Sequence, residues 1–262
     1  MIIDSHCHLD DAAFDEDRDA VVARAHAAGV DLMLAIGTGE GPPDLECAIR
    51  LAEHYEGVYA TVGVHPHDAS QADAASLDRL AELCGHPKVV ALGEIGLDYH
   101  YDHSPREIQR EVFVNQMQIA RQARKPIVIH TREAWEDTME LLETHWRPGG
   151  LGGIMHCFSG DSEQAREALD LGFLVSFAGV VTFRRAEALR GAAAATPLDR
   201  LLVETDAPYL TPEPYRKIRR NEPRYVVETA RKVAEVRRMP YEALAAATSR
   251  NFCALFNLPV PA

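Results

Sequence analysis

Cysteine is scarce in this chain. Cys7, Cys47, Cys84, Cys157 and Cys253 lie scattered through 262 residues, odd in number and with no Cys-x-x-Cys among them. That argues against a disulfide framework and suits a reducing compartment, so a cytoplasmic protein is expected. Long apolar runs are missing too. Nothing approaches the roughly 18–20 residues of a membrane span, and the first apolar run begins at Ile2 and leaves no room for a signal peptide. Positive charge is in short supply, with 27 Lys and Arg against 40 Asp and Glu, a formal net charge of −13. A protein that coats a duplex by bulk electrostatics is expected to be basic. This one must grip any phosphate locally, with metal ions and a few placed arginines. Linkers and low-complexity tracts are also lacking, so residues 1–262 read as one domain, large enough to bury on the order of three quarters of its unfolded surface.

What the chain has is alternation. Short apolar or β-branched runs occur at Ile2–Ile3, Asp31–Ile36, Val58–Val64, Val89–Leu92, Pro126–Ile129, Gly153–Met155, Phe173–Phe177 and Arg200–Val203. Helical patterns separate them. Asp17–Ala28 ends at Gly29, and Asp161–Leu171 ends at Gly172. Pro105–Ala123 starts with Ser104 as N-cap and Pro105 in the first turn, and helices near Arg224–Arg237 and Tyr241–Phe256 close the chain. Eight strands alternating with helices predict an α/β fold, a TIM-type (β/α)8 barrel, with a doubly wound open sheet as the second arrangement.

The reactive residues fall at the ends of these strands, where such barrels build their active sites. The first strand runs into His6 and His8. Alternate side chains on a strand share a face, so the two imidazoles converge and Cys7 points away. Two neutral imidazoles make half a metal site, although a solvated strand end would carry the same pair. The third strand runs into His65 and His67, the fourth into Glu94 and Asp98, and the fifth into His130, Arg132 and Glu133. The sixth runs into His156 and the eighth into Glu204 and Asp206. Six such endings of metal-ligand type point to one site. The other histidines, His26, His54, His86, His100, His103 and His145, lie in helical or loop stretches and are assigned to surface or packing.

These residues carry a resemblance. Asp4-Ser-His-Cys-His-Leu-Asp10, Gly63-Val-His-Pro-His67, Gly93-Glu-Ile-Gly-Leu-Asp98, His130-Thr-Arg-Glu-Ala134, His156-Cys-Phe-Ser-Gly160 and Glu204-Thr-Asp-Ala-Pro-Tyr209 follow one another in order, with Asn221-Glu-Pro223 beyond them. In these motifs the chain resembles the TatD family of metal-dependent hydrolases, among the amidohydrolase-like barrels. The resemblance implies two divalent ions, zinc, manganese or magnesium. His6, His8, Glu94 and Asp206 would bind one, and Glu94, His130 and His156 the other, with Glu94 bridging. Lys88 lies at the opposite end of its strand and is unsuited to that part. Asp206 would also accept the proton of the attacking water.

The remaining positions carry open alternatives. Glu204 either orients a ligand or contacts substrate, or it makes a buried hydrogen bond in the barrel mouth. His65 contacts phosphate, protonates the leaving group, or simply packs; His67 and Asp98 are further candidates near substrate. Arg132 either holds a phosphate oxygen or pairs with a carboxylate. Strand alternation turns the thiols of both Cys7 and Cys157 away from the site. The basic run Tyr215–Pro223, Arg216 included, either clamps a phosphate backbone or is a solvated loop. Here the chain departs from the family pattern, which has Arg-Gly-Lys before Asn-Glu-Pro.

The expected function is cleavage of phosphodiester bonds by a metal-activated water, most simply a deoxyribonuclease acting near the ends of single-stranded DNA, the end preference coming from the resemblance. A small-molecule amidohydrolase acting on an amide, ester or lactone is the alternative, with an aminoacyl-RNA deacylase beside it. A scaffold role requires lost ligands, and all six ligand positions are filled. No membrane and no obligate protein partner is implied, and a monomer is expected.

Overall fold

The computed structural model describes residues 1–261 apart from 40 and 43. Eight strands form one sheet in chain order, β1 through β8. They are β1 (Ile2–Cys7), β2 (Val30–Ala35), β3 (Val58–Val62), β4 (Val89–Asp98), β5 (Ile127–Arg132), β6 (Gly153–Met155), β7 (Phe173–Phe177) and β8 (Leu201–Val203). Between and after them, among the described residues, lie α1 (Arg18–Ala27), α2 (Cys47–His54), α3 (Ala74–Leu83), α4 (Arg106–Ala123), α5 (Trp135–Leu141), α6 (Ser162–Asp170), α7 (Glu187–Ala195), α8 (Val226–Val236) and α9 (Tyr241–Phe256). Pairing is parallel, and Cys7 forms a parallel bridge with Ala207 beyond β8. This is a TIM-type (β/α)8 barrel. A doubly wound sheet reverses its strand order at a switch point, and the unbroken order excludes it. No helix among the described residues is long and apolar enough to cross a membrane.

Contacts concentrate in two compact units. The first comprises Met1–Leu34, His156–Asp170 and Leu174–Ala262. In it β1 packs on α8 and α9, and α1 packs on the short turn Pro223–Tyr225. The second comprises Ala35–Met155 and Leu171–Phe173, with β3 to β6 paired in sequence and α4 against β4.

Strand starts agree with the apolar runs to within about one residue; β3 stops at Val62, short of Val64, while other strands run further. β1 continues through Asp4, Ser5 and His6 to Cys7, every residue buried. β4 continues to Asp98 because its pairing with β5 extends through His130, Thr131 and Arg132. Apolarity stops marking a strand where its residues turn from packing to chemistry. Helices α2, α3, α5 and α7 carry weaker signals; α7, Glu-Ala-Leu-Arg-Gly-Ala-Ala-Ala-Ala, buries mainly alanines. Gly29 and Gly172 follow α1 and α6 with φ +85° and +87°, as C-terminal glycines do. The start of α4 differs from expectation. Pro105 is its cap residue, and no side chain caps it. The Ser104 hydroxyl is engaged elsewhere, donating to the His67 carbonyl at 2.8 Å and accepting from the Ser70 amide at 3.0 Å.

Two glutamines on α4 set the strand ends of the second unit. Gln109 and Gln116 are seven residues apart, two helical turns, and so share one face. Gln116 accepts the Val64 amide at 2.7 Å and donates to the Val64 carbonyl at 3.0 Å. Gln109 does the same for Asp98, at 2.8 and 3.0 Å. Both side chains are buried, and each satisfies backbone groups where a strand frays toward the site.

Candidate functional site

In the first unit, β1 and the segment after β8 bring His6, His8, His156 and Asp206 together. The Nε2 atoms of His6 and His8 stand 3.3 Å apart. Asp206 Oδ1 lies 3.5 Å from His8 Nε2 and 3.8 Å from His6 Nε2. The His156 ring stacks on His6 with centroids 3.5 Å apart. Burial alone would raise the Asp206 carboxyl, but the His8 hydrogen bond and the nearby His156 and His6 imidazoles hold it below the usual range. The donor set fits a divalent cation. Of two facing Nε2 atoms at most one can donate to the other, and a cation beside an ionised carboxylate satisfies both lone pairs.

Asp4 organises this cluster from behind. It is fully buried, and its carboxyl accepts the Thr205 hydroxyl at 2.5 Å, the Thr205 amide at 2.9 Å and the His6 amide at 3.3 Å. The Asp206 amide in turn donates to the His6 carbonyl at 3.0 Å, which ties the segment after β8 to β1. Asn221 completes the brace, donating to the carbonyls of Thr205 and Tyr209. Burial pushes the Asp4 carboxyl up to about 8 against these uncharged donors. Asp4, Thr205 and Asn221 lie within the motifs that carry the resemblance, yet hydrogen-bonding roles like these leave no mark in residue spacing.

Glu204 has no solvent exposure. Its Oε1 accepts the Cys157 amide at 2.6 Å and lies 2.9 Å from His156 Nδ1, while its Oε2 has no hydrogen-bond partner among the described residues. One carboxylate thus makes the buried hydrogen bond, to the Cys157 amide, and stands within ion-pair distance of His156. Cys7 points away from its neighbouring histidines, as strand alternation requires, and its thiol donates to the Leu34 carbonyl at 3.5 Å. Cys157 is a correction. Its sulfur lies within 4.8 Å of donor atoms of His156 and Glu204. Alternation does not govern it, because β6 ends at Met155 and Cys157 has φ +44°.

In the second unit, β4 and β5 bring Glu94, His130, His65 and Asp98 together. Pairing of β4 with β5 skips from Gly93 to Ile95, so Glu94 is the extra residue of a bulge, a device that re-aims a side chain. Gly96 permits the close approach that follows, since a Cβ there would stand 1.9 Å from the His130 carbonyl oxygen. Glu94 Oε1 lies 2.7 Å from His130 Nδ1 and 3.6 Å from His65 Nε2. His65 Nδ1 accepts the His67 amide at 3.2 Å, which leaves the ring proton on Nε2, facing Glu94. Burial brings His65 down to about 4, so it is a neutral imidazole near pH 7.

Asp98, expected near substrate, is wholly buried behind the histidines. Its Oδ2 lies 3.0 Å from both His130 Nε2 and His67 Nε2. Burial is outweighed by hydrogen bonds from His130, His67 and the Tyr101 amide, which hold the carboxyl well below its usual range. A carboxylate on the far nitrogen of a metal-binding imidazole fixes its tautomer and direction.

The expected phosphate contacts separate. Arg132 is exposed, makes no ion pair among the described residues, and lies 4.7 Å over the Tyr101 ring. In the basic run, Arg216 is exposed and lies 4.0 Å over the Phe183 ring. Arg220 is structural, bound to Asp17 at 2.6 Å and Glu222 at 3.2 Å. Glu222 also receives Arg24 on both oxygens and Arg224 at 3.0 Å, so this end of the run is an ion cluster.

A (β/α)8 barrel whose strand ends carry imidazole and carboxylate clusters is the architecture of metal-dependent hydrolases. The family model described as TatD related DNase matches residues 3–257. The chain is 42% identical to the metal-dependent hydrolase YabD of Bacillus subtilis, over 98% of this chain and 100% of that one. It is 39% identical to the 3'-5' ssDNA/RNA exonuclease TatD of Klebsiella pneumoniae, over 99% of both. The crystal structure of YjjV, a TatD homolog from Escherichia coli, superposes with a TM-score of 0.91 at 32% identity, over 98% of each chain. The chain belongs to the TatD family and is a metal-dependent hydrolase.

Proposed function

We propose that the protein is a deoxyribonuclease that cleaves phosphodiester bonds near the ends of single-stranded DNA, using two divalent ions. His6, His8, His156 and Asp206 would be ligands in the first unit, and Glu94 and His130 in the second. Bound divalent ions would polarise a phosphoryl oxygen and bring a water toward ionisation near neutral pH. The observation that carries the reading is the charged Asp206 beside converging His6 and His8 nitrogens, a carboxylate positioned to take a proton from an attacking water. His130 would turn Nδ1 to an ion while Asp98 keeps Nε2. Neutral His65 would donate a hydrogen bond from Nε2 to a phosphoryl oxygen or to the departing oxygen, the proton staying on the ring. Arg132, and less directly Arg216, would hold phosphate. The 3'-5' ssDNA/RNA exonuclease activity for which the Klebsiella pneumoniae relative is named supports nucleic acid as the substrate class. The five free thiols support a cytoplasmic setting, and the protein is proposed to act as a monomer.

Protein stripped with chelator and reloaded with manganese, magnesium or zinc is expected to shorten an end-labelled single-stranded oligonucleotide, and to lose that activity on stripping. Turnover of a small amide or lactone, with the oligonucleotide untouched under every metal, would overturn the reading.

A further inference from the structure

We propose that Tyr101, with His103 and Arg132, forms a stacking platform for an unpaired nucleobase. The inference rests on the nuclease reading and adds what the enzyme grips besides phosphate.

Tyr101 is 49% exposed, yet it is not a loose side chain. His103 stacks on its ring in an offset parallel arrangement, at an interplanar angle of 7° with centroids 5.6 Å apart. His67 meets it edge-on at 5.3 Å, and the Arg132 guanidinium lies 4.7 Å from its centroid. The loop beneath is pinned. Asp98 Oδ1 accepts the His100 amide at 3.0 Å and the Tyr101 amide at 2.8 Å, while Gln109 donates to the Ser104 carbonyl at 2.8 Å. Arg106 holds the Tyr99 carbonyl and the Asp102 carboxylate.

One buried carboxylate therefore does two things. Asp98 Oδ2 takes His130, a proposed metal ligand, and Oδ1 sets the backbone that carries Tyr101. The aromatic face is thereby held in fixed register with the strand end that carries the chemistry. A rigid exposed aromatic beside a cation with no ion-pair partner among the described residues matches what single-stranded nucleic acid needs. The base has a π-face to stack, and the next phosphate needs a guanidinium. An internal base of a duplex is stacked on both faces and cannot reach the platform without unpairing, so this surface favours strands whose bases are free.

The test compares metal-loaded protein on two labelled substrates of equal length, an ordinary single-stranded oligonucleotide and one built wholly of abasic tetrahydrofuran phosphodiesters. Wild type is expected to show a KM about tenfold lower for the base-bearing strand. Tyr101→Ala is expected to abolish that discrimination, chiefly through KM, and Tyr101→Phe to keep it. Circular dichroism on both variants confirms that the loop change leaves the fold intact. If Tyr101→Ala discriminates as wild type does, or if wild type cleaves the two strands equally, the platform is overturned and the nuclease reading stands. If neither strand is cleaved while a small amide or lactone is turned over, the nuclease reading fails and takes the platform with it.

Discussion

Asp4 and Asp98 are the same residue type, both without solvent exposure, and each stands behind one of the histidine clusters. Burial acts on both in the same direction. Asp4 rises to about 8, because its donors are a hydroxyl and two amides, with the Glu204 carboxylate adding repulsion. Asp98 is held well below its usual range, because two of its partners are imidazoles. Burial sets the cost of a charge; the donors decide whether it is met. Asp4 is thus a brace between β1 and the segment after β8 whose charge burial opposes. Asp98 is an ionised anchor that directs His130 and, through its other oxygen, the Tyr101 loop.

The largest expected effect falls on the first cluster. Asp206→Asn removes the proton acceptor while keeping a ligating oxygen, and kcat should drop by about a thousandfold, within the usual span of general-base losses. Metal content by mass spectrometry should stay near wild type; full activity would sink the assigned role. Gly96→Ala tests the second cluster. Its Cβ would meet the His130 carbonyl at 1.9 Å, and the loss should be about 3 kcal/mol or more in urea unfolding. Gly29→Ala meets nothing within 4 Å, and its positive φ should cost only about 1 kcal/mol. Equal costs would contradict the close approach at Gly96.

Asp98→Asn against Asp4→Asn sharpens the comparison directly. The first should weaken metal binding by roughly 10–100-fold, as loss of a carboxylate behind a metal-binding imidazole does. The second keeps an oxygen for the amide donors and removes a charge that burial already opposes, and should change it by less than about threefold. Titration calorimetry distinguishes these outcomes, and matching losses would refute the division of labour.

The smallest effect concerns acid stability. Arginine hydrogen bonds hold Asp17 low, and at Glu222 the arginines outweigh burial to do the same. A lowered folded pKa contributes stability that is present above the ordinary carboxylate range of about 4 and is lost as pH falls through the folded values. Glu222→Gln should cost about 1–2 kcal/mol at pH 7, discounted because Arg24 and Arg220 are partly exposed, and less at pH 3. A constant difference between those pH values would argue against the ion cluster.

Much of this was legible in the sequence. Eight apolar runs gave the strand count and order; position at strand ends offered His6, His8, His65, His67, Glu94, Asp98, His130, Arg132, Glu133, His156, Glu204 and Asp206, and the resemblance implied which of them are ligands. Less legible were the residues that hold them. Gln109 and Gln116 look like polar interruptions of an amphipathic helix, and only packing of α4 on β4 turns them toward strand ends. The basic run was ambiguous because charge density does not say which cations already have partners. Arg220 has them among Asp17 and Glu222, far away in sequence or adjacent, and Arg216 has an aromatic face instead.

The sequence by itself determined the barrel and the chemical type of its strand ends, because a period of two and the alternation of apolar runs with helices are local properties of the chain. Tertiary structure alone decided the charge of Asp4 and Asp98, the aim of Glu94 from its bulge, the turn of Cys157 toward Glu204, and the pinned face of Tyr101. Each depends on which donors and backbone groups arrive from distant segments, and hydrogen-bond geometry over ångströms has no counterpart in residue spacing.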